Sequence, residues 1–275
     1  METDLTILNQ TVKVMQDKPL NKFYLQSVKY FFEEVSNLTR FAIRFFKEIF
    51  YPPYEWSEFV KQCFSIGYKS FPLVAITGFI MGLVLTIQSR PTLATFGAQS
   101  WLPAMVAVSI IREIGPVIAA LIFAGKVGSG IGAELASMKV TEQIDAMEVS
   151  GTNPFNYIVV TRIAAATLML PILVIVGDGI ALYGSYIGVN LKGDVSFHLF
   201  FLQVFGKLNF IDVIPAIIKT FFFGFFIGLI GCYKGYNANK GTESVGKAAN
   251  AAVVLASLVV FLIDMIAVQI TSLFN

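Results

Sequence analysis

The stretch REIGPVIAALIFAGKVGSGIGAELASMKVTEQIDAMEVSG, residues 112–151, joins an apolar run to a polar one. It begins with the adjacent charged residues Arg112 and Glu113 inside the apolar run, where charge is costly. It continues through a Gly-rich segment, Gly125–Gly132, which we interpret as a flexible hinge, and it ends in an acidic segment. A stretch of this kind links charged side chains within a membrane to a polar surface outside it.

Apolar runs of membrane-spanning length surround this stretch. Hydrophobic residues make up 56% of the 275-residue chain and charged residues only 14%, whereas soluble domains carry about 25% charged residues. A spanning helix needs about 20 apolar residues, which predicts an all-α polytopic membrane protein. Its net charge of +2 argues against nucleic-acid binding. Five spans are predicted, with a short loop at 90–91 after the first: 71–88, 101–124, 157–189, 213–233 and 248–273.

The sequence before the spans divides into a polar segment, 1–22, and an amphipathic region, 23–70, ahead of a five-span domain at 71–275. Apolar residues recur every three or four positions from Tyr24 to Ile49, which is one face of a helix. A coiled coil has the same spacing. However, flanking phenylalanines widen the apolar face, which favours a helix lying in the membrane interface. A second amphipathic piece, 54–70, is predicted to lead into the first span.

The distribution of basic residues predicts the orientation, because Lys and Arg accumulate in cytoplasmic loops. It predicts a cytoplasmic N-terminus, a cytoplasmic acidic segment and an external C-terminus. One side of the predicted spans has Lys61, Lys69, Lys126, Lys139, Lys234, Lys240 and Lys247, and the other has Arg90, Lys192 and Lys207.

Charged residues within or near the spans are the first candidates for a functional site. They are Arg112, Glu113, Arg162, Asp178, Lys219 and Asp264. Arg162 is near a span end, from which it can extend to the membrane surface. Adjacent residues of a helix point about 100° apart, so Arg112 and Glu113 need separate partners, for which Lys219 and Asp264 are candidates. Structural ion pairs and a polar pocket both remain open at this stage.

The sequence contains no complete catalytic or nucleotide-binding motif. The string at 241–247 matches part of a phosphate-binding loop but lacks the following Ser or Thr and any preceding strand. The only histidine, His198, has no metal-ligating cluster around it. We therefore predict a non-catalytic chain without a cofactor or metal. Its polar segment Glu134–Glu148 is predicted to be a helix that docks on a soluble ATPase through Glu134, Lys139, Glu142, Gln143, Asp145 and Glu148.

The string from Arg112 to Pro154 resembles the signature of the MlaE/YrbE permease family, the membrane subunits of ABC transporters that work with MCE-domain proteins. QCFSIGYKSFPLVAITGFIMGLVLTIQ, residues 62–88, looks like the first span of that family, and KGTESVGKAANAAVV, residues 240–254, like its last cytoplasmic loop. The resemblance covers about residues 55–272. It implies an interfacial helix and five spans, and a homodimer in the bacterial inner membrane. It also implies two cytoplasmic ATPase subunits that use ATP and Mg²⁺, an external MCE-domain partner and phospholipid cargo.

The same resemblance assigns residues. It implies that Glu113 faces the lipid cavity beside Arg112, that Lys219 and Asp264 belong to the fourth and fifth spans, and that Glu134–Glu148 is the coupling helix. Ser89-Arg90 departs from the Gly-Tyr usual in the family. A structural or receptor-like membrane subunit and an ion-coupled transporter are the alternatives, and ATP-dependent lipid movement distinguishes the permease from them.

Overall fold

The computed structural model describes residues 20–52, 54–191, 193, 195–239 and 241–273. Within these ranges the chain is helical and contains no strand, as expected for the predicted all-α class. It divides into two compact units, residues 1–47 and 48–275.

The first unit contains one long helix, α1, Leu20–Glu48. The apolar periodicity from Tyr24 to Ile49 therefore identified a helix. Its placement in the membrane interface stays a prediction, and most of the polar segment 1–22 lies outside the described residues.

The second unit contains five helices long and apolar enough to cross a membrane, which confirms the predicted number of spans. They are α2 (Trp56–Thr95), α3 (Gln99–Val140), α5 (Phe155–Asn190), α7 (Phe210–Tyr236) and α8 (Glu243–Ser272). Two short helices lie at opposite ends of this bundle: α4 (Gln143–Val149) between α3 and α5, and α6 (Phe197–Phe205) between α5 and α7.

Helix α2 is longer than the sequence predicts. It continues through Pro72 and Pro91. The segment 54–70 therefore leads into the first span as predicted, whereas the predicted loop at 90–91 is wrong. Proline is tolerated inside a membrane helix because neighbouring helices satisfy the backbone groups that it frees. Arg90 is part of this helix, and its Nη1 donates to the carbonyl of Val189 in α5 at 2.9 Å.

Helix α3 is also continuous, and the predicted hinge at Gly125–Gly132 is wrong. Two π-helical segments, Ile110–Ile114 and Ala124–Gly128, interrupt its α-helical hydrogen bonding without breaking the helix. A Cβ atom on Gly235 of α7 would lie 2.7 Å from the carbonyl oxygen of Gly132. The glycines in this region therefore permit close helix contact rather than bending.

Small residues also pack α2 against α5. A Cβ atom on Gly82 would lie 1.8 Å from the carbonyl oxygen of Ala181, so only glycine fits at this crossing. The buried Thr86 hydroxyl hydrogen-bonds Ser185 across the same interface at 2.7 Å. Three pairs of glycines four residues apart make such contacts: Gly78/Gly82 and Gly184/Gly188 lie between α2 and α5, and Gly224/Gly228 lies between α7 and α5.

Helix α6 covers the end of the bundle opposite α4. Ser196 caps its N-terminus by accepting from the Leu199 amide at 3.3 Å. Phe200 and Val204 are fully buried against α3 and α5, whereas Phe197 and Phe205 are exposed. This is the amphipathic pattern of a helix that lies along a membrane surface.

Candidate functional site: an intramembrane charged cluster

Three spans contribute charged side chains to one cluster. Lys219 of α7 donates to Glu113 of α3 at 2.6 Å and to Asp264 of α8 at 2.8 Å. The Lys219 side chain is only 5% exposed, whereas Glu113 is 37% exposed and Asp264 20%. The lysine is therefore enclosed between two carboxylates that remain open on one side of the chain.

Arg112 has a different partner. Its Nη1 lies 3.6 Å from Asp212 Oδ1, in the first turn of α7. The sequence-based expectation of separate partners for Arg112 and Glu113 agrees with this geometry. Both pairs line one pocket, whose remaining walls are Thr271 and apolar side chains of α7 and α8.

A π-helical segment, Ile110–Ile114, presents Arg112 and Glu113 to this pocket. Pro116 follows it and has no N–H to donate to the preceding turn, which disfavours regular α-helical bonding there. Single π turns inside α-helices occur often at functional sites. The local sequence thus places two charges on a turn that differs from the helix around it.

The cluster suits recognition of a polar group rather than covalent chemistry. Charge–charge attraction is strong in a low-dielectric interior, and two carboxylates compete for one ammonium group here. A ligand that offers both a cation to a carboxylate and a phosphate to the lysine can replace these internal contacts without leaving a charge unpaired. Glu113 is the accessible member, so a ligand reaches it before Lys219.

Asp178 does not join this cluster. It lies on α5 beside Gly115, where a Cβ atom would come within 1.9 Å of its Oδ1. It lines a small cavity between α2, α3 and α5 and a larger groove between α5 and α7. Its predicted role in the lipid-cavity site stays a prediction.

Arg162 was expected to extend to the membrane surface, and that expectation is wrong. Its side chain is 5% exposed and its Nη2 donates to Glu134 at 2.7 Å. Nη1 of the same side chain donates to the Ile158 carbonyl at 3.1 Å. Arg162 therefore joins α5 to the end of α3, and Glu134 has a partner within the chain.

The segment predicted as one coupling helix, Glu134–Glu148, consists of two helices. α3 ends at Val140 and α4 begins at Gln143, with Glu142 between them in the left-handed conformation at φ 59°. Lys139 donates to Asp145 at 2.7 Å across this break. Ile144 is fully buried, and the remaining polar positions, Glu142, Gln143 and Glu148, are exposed.

Sequence reasoning missed Asp212. It was assigned to a loop, yet its Oδ2 accepts from the Asn209 amide at 3.2 Å in a capping box at the start of α7. An Asn followed three residues later by Asp just before an apolar run is a detectable signal for a helix start. That signal would have placed Asp212 on a span, facing α3.

Comparison with known proteins agrees with the resemblance seen in the sequence. The family model of the permease MlaE matches residues 59–270. A probable ABC transporter permease protein of Rickettsia felis is 39% identical over 84% of this chain and 90% of its own length. The intermembrane phospholipid transport system permease protein MlaE of Haemophilus influenzae is 34% identical over 75% and 80%. A probable ABC transporter permease protein of Synechocystis is 32% identical over 74% and 77%.

Proposed function

This chain belongs to the MlaE permease family, and we propose that it is the permease subunit of an ATP-driven transporter that moves phospholipid. The observation that carries the proposal is the contact of Lys219 with both Glu113 and Asp264 inside a bundle of five spans. The bacterial inner membrane is the location that this function requires.

The chemistry of the cluster matches a zwitterionic lipid. A phospholipid headgroup carries a phosphate and often an amine, and either group is costly to move into hydrocarbon without a partner. Lys219 and Arg112 offer cations to the phosphate, and Glu113 and Asp264 offer carboxylates to an amine. A cluster that already pairs charges of both signs can accept one such headgroup without leaving a buried charge unpaired.

A homodimer would enclose this site. A carboxylate that is 37% exposed at membrane depth would otherwise face lipid, which is unfavourable. Helix α8, which carries Asp264, exposes large apolar side chains along its length, including Leu258, Phe261 and Leu262. We propose that a second copy packs on this face, so that two clusters line one central cavity.

A separate ATPase would supply the energy. We propose that two ATPase subunits, which bind ATP and Mg²⁺, contact the end of α3 and α4 on the cytoplasmic side. Buried Ile144 anchors α4 to the bundle, while exposed Glu142, Gln143 and Glu148 face outward. The Lys139–Asp145 pair closes the break between the two helices. An MCE-domain protein would receive or deliver lipid on the opposite side, near α6.

Reconstitution tests this function. The chain and its ATPase in liposomes should move a fluorescent phospholipid only when ATP is hydrolysed. Glu113→Gln should retain ATPase binding but lower transport about tenfold or more, because one hydrogen bond to a charged group contributes roughly 1.5–3 kcal/mol. Glu33→Gln is the control, since Glu33 belongs to an exposed pair with Lys29 on α1. ATP hydrolysis without lipid movement by the wild-type complex would contradict the proposal.

A further inference from the structure

A second, larger cavity lies on another side of α7. It is an apolar groove of about 540 Å³ between α5 and α7, closed at one end by α6. Ligand sites typically have volumes of about 300–1,000 Å³, so its size is in the range of a binding site. Residues that line the groove include Ile111, Ile175, Asp178, Gly179, Phe205 and Asn209.

The groove opens to the surroundings of the bundle. Ile175 and Phe205 on its walls are 53% and 65% exposed, and Phe210 at its rim is 84% exposed. Because α5 and α7 are long and apolar enough to span a membrane, we infer that Ile175 and Phe210 face lipid, with Phe205 of α6 beside them. An apolar cleft of this size in a bilayer is occupied by hydrocarbon, because it offers water almost no hydrogen-bonding partners.

The connection between α6 and α7, which borders the groove, carries one polar residue that lines it and one basic residue that does not. Asn209, at the start of α7, lines its rim. Lys207 lies in the same short connection between α6 and α7, with its Nζ 4.7 Å from the centre of the Trp101 ring. An exposed lysine and an amide at the membrane surface are suitable partners for a phosphate group.

The inner end of the groove approaches the charged cluster. Ala216 of α7 lines both the groove and the pocket of Arg112 and Glu113, so one small side chain separates the two cavities. Asp178 lies on the groove side. In the described part of the chain its carboxyl makes no ion pair or hydrogen bond. The charge of Lys219 acts on this carboxyl from a distance, but a carboxyl without a hydrogen bond within a span is costly, and a passing lipid headgroup with a hydrogen-bond donor would satisfy it.

We propose that the groove between α5 and α7 docks a phospholipid of the leaflet on the α6 side. One acyl chain occupies the groove and the phosphate lies near Lys207 and Asn209. This lipid lies apart from the site of Glu113 and Lys219 and exchanges with it past Ala216. The inference rests on the proposed transport of phospholipid, but lipid docking is measurable without ATP.

Gly179 allows the groove to be filled without distorting the protein. It is exposed in the groove wall, and a Cβ atom there would meet no other atom within 4 Å. Gly179→Trp should therefore fold normally and occupy the groove with an indole ring. Ile172→Trp is the matched control, because Ile172 is exposed two turns away on the same helix and does not line the groove.

The test uses the chain with its ATPase in nanodiscs that contain a phospholipid with a photoreactive group in one acyl chain. Without ATP, wild type and Ile172→Trp should crosslink at groove residues of α5 and α7, identified by mass spectrometry. Gly179→Trp should reduce these crosslinks about tenfold, because losing even two buried methylenes has that effect on binding. Equal crosslinking of all three proteins, or none at the groove in wild type, overturns the proposal.

Transport by the same variants separates the two hypotheses. Slower ATP-driven transport by Gly179→Trp, with normal transport by Ile172→Trp, supports a groove on the lipid route. If Gly179→Trp loses the crosslinks but transports like wild type, the groove is off the route and this inference fails, while the proposed function stands. If wild type crosslinks in the groove but never transports, the proposed function fails instead.

Discussion

Removing Lys219 alone should be more damaging than removing the whole cluster. In the wild type, Glu113 and Asp264 lie 2.6 Å and 2.8 Å from Lys219 Nζ. Lys219→Met would leave both carboxylates without this cation. The lysine is 5% exposed, so its partners have little compensating water on that side. Breaking a buried pair by deleting one member costs about 3–5 kcal/mol, and we expect a loss of stability in that range.

The triple variant Glu113→Gln, Lys219→Met, Asp264→Asn removes all three charges. Replacing a complete buried ion-pair set by neutral groups of similar volume is often neutral or stabilising, so thermal stability should return to about the wild-type value. Transport should not return, because only the Arg112–Asp212 pair then remains in the pocket for a headgroup. Lys29→Met is the control, since the Lys29–Glu33 pair has side chains 77% and 59% exposed and exposed pairs contribute little.

Thermal unfolding of the purified proteins in nanodiscs measures stability, and lipid transport in liposomes measures function. A Lys219→Met variant as stable as wild type would show that the lysine is not enclosed as the structure has it. A triple variant that transports at the wild-type rate would show that the charges serve only to hold helices together.

Three further predictions concern packing, coupling and orientation. Gly82→Ala should destabilise the protein by about 1–3 kcal/mol or more, because its Cβ would meet the Ala181 carbonyl oxygen at 1.8 Å. Gly130→Ala is the control: its Cβ would meet no atom within 4 Å, so it should be neutral or stabilising in the same thermal unfolding assay. Glu148→Lys should weaken co-purification of the ATPase while leaving membrane insertion unchanged, and normal association would exclude this surface as the docking site. In a variant that lacks the two native cysteines, Val149, which is 91% exposed, is replaced by cysteine. This cysteine should react with an impermeant maleimide from the cytoplasmic side only, and labelling from outside would show that the predicted orientation is wrong.

The number of spans was predictable because it depends on the number of long apolar segments, but their ends were not. Pro91 indicates a helix end under the rules for water-soluble proteins, and Pro72 lies where the predicted first span begins. In a membrane, a broken helix end would leave polar groups unsatisfied in hydrocarbon, so the helix continues through both positions. The same reasoning explains Arg90, which was assigned to a loop and instead donates to a carbonyl of α5.

The glycines at 125–132 show a second reason why a structural feature could not be predicted from the sequence. Glycine permits bending, and it also permits close approach of two helices, and a single sequence does not distinguish these uses. In the structure these glycines serve close contact, because Gly231 and Gly235 of α7 place their backbone against Gly128 and Gly132.

The charged cluster was more predictable, since Glu113, Lys219 and Asp264 are costly in a span and each requires a partner. Asp178 meets the same criterion but lies on another side of α3.

A continuous α3 changes how the proposed coupling would work. Glu113 and Lys139 are 26 residues apart on one helix, about 39 Å at 1.5 Å per residue, so a movement of α4 reaches the charged cluster without a hinge between them. Close glycine contacts hold α3 against α7 near one end, and Lys219 ties α3, α7 and α8 together near the other. Helices joined at both ends are expected to move as one body. In the proposed transporter, the lipid path would then open between two copies of the chain, or between α7 and α5, rather than by separation of Glu113 from Lys219.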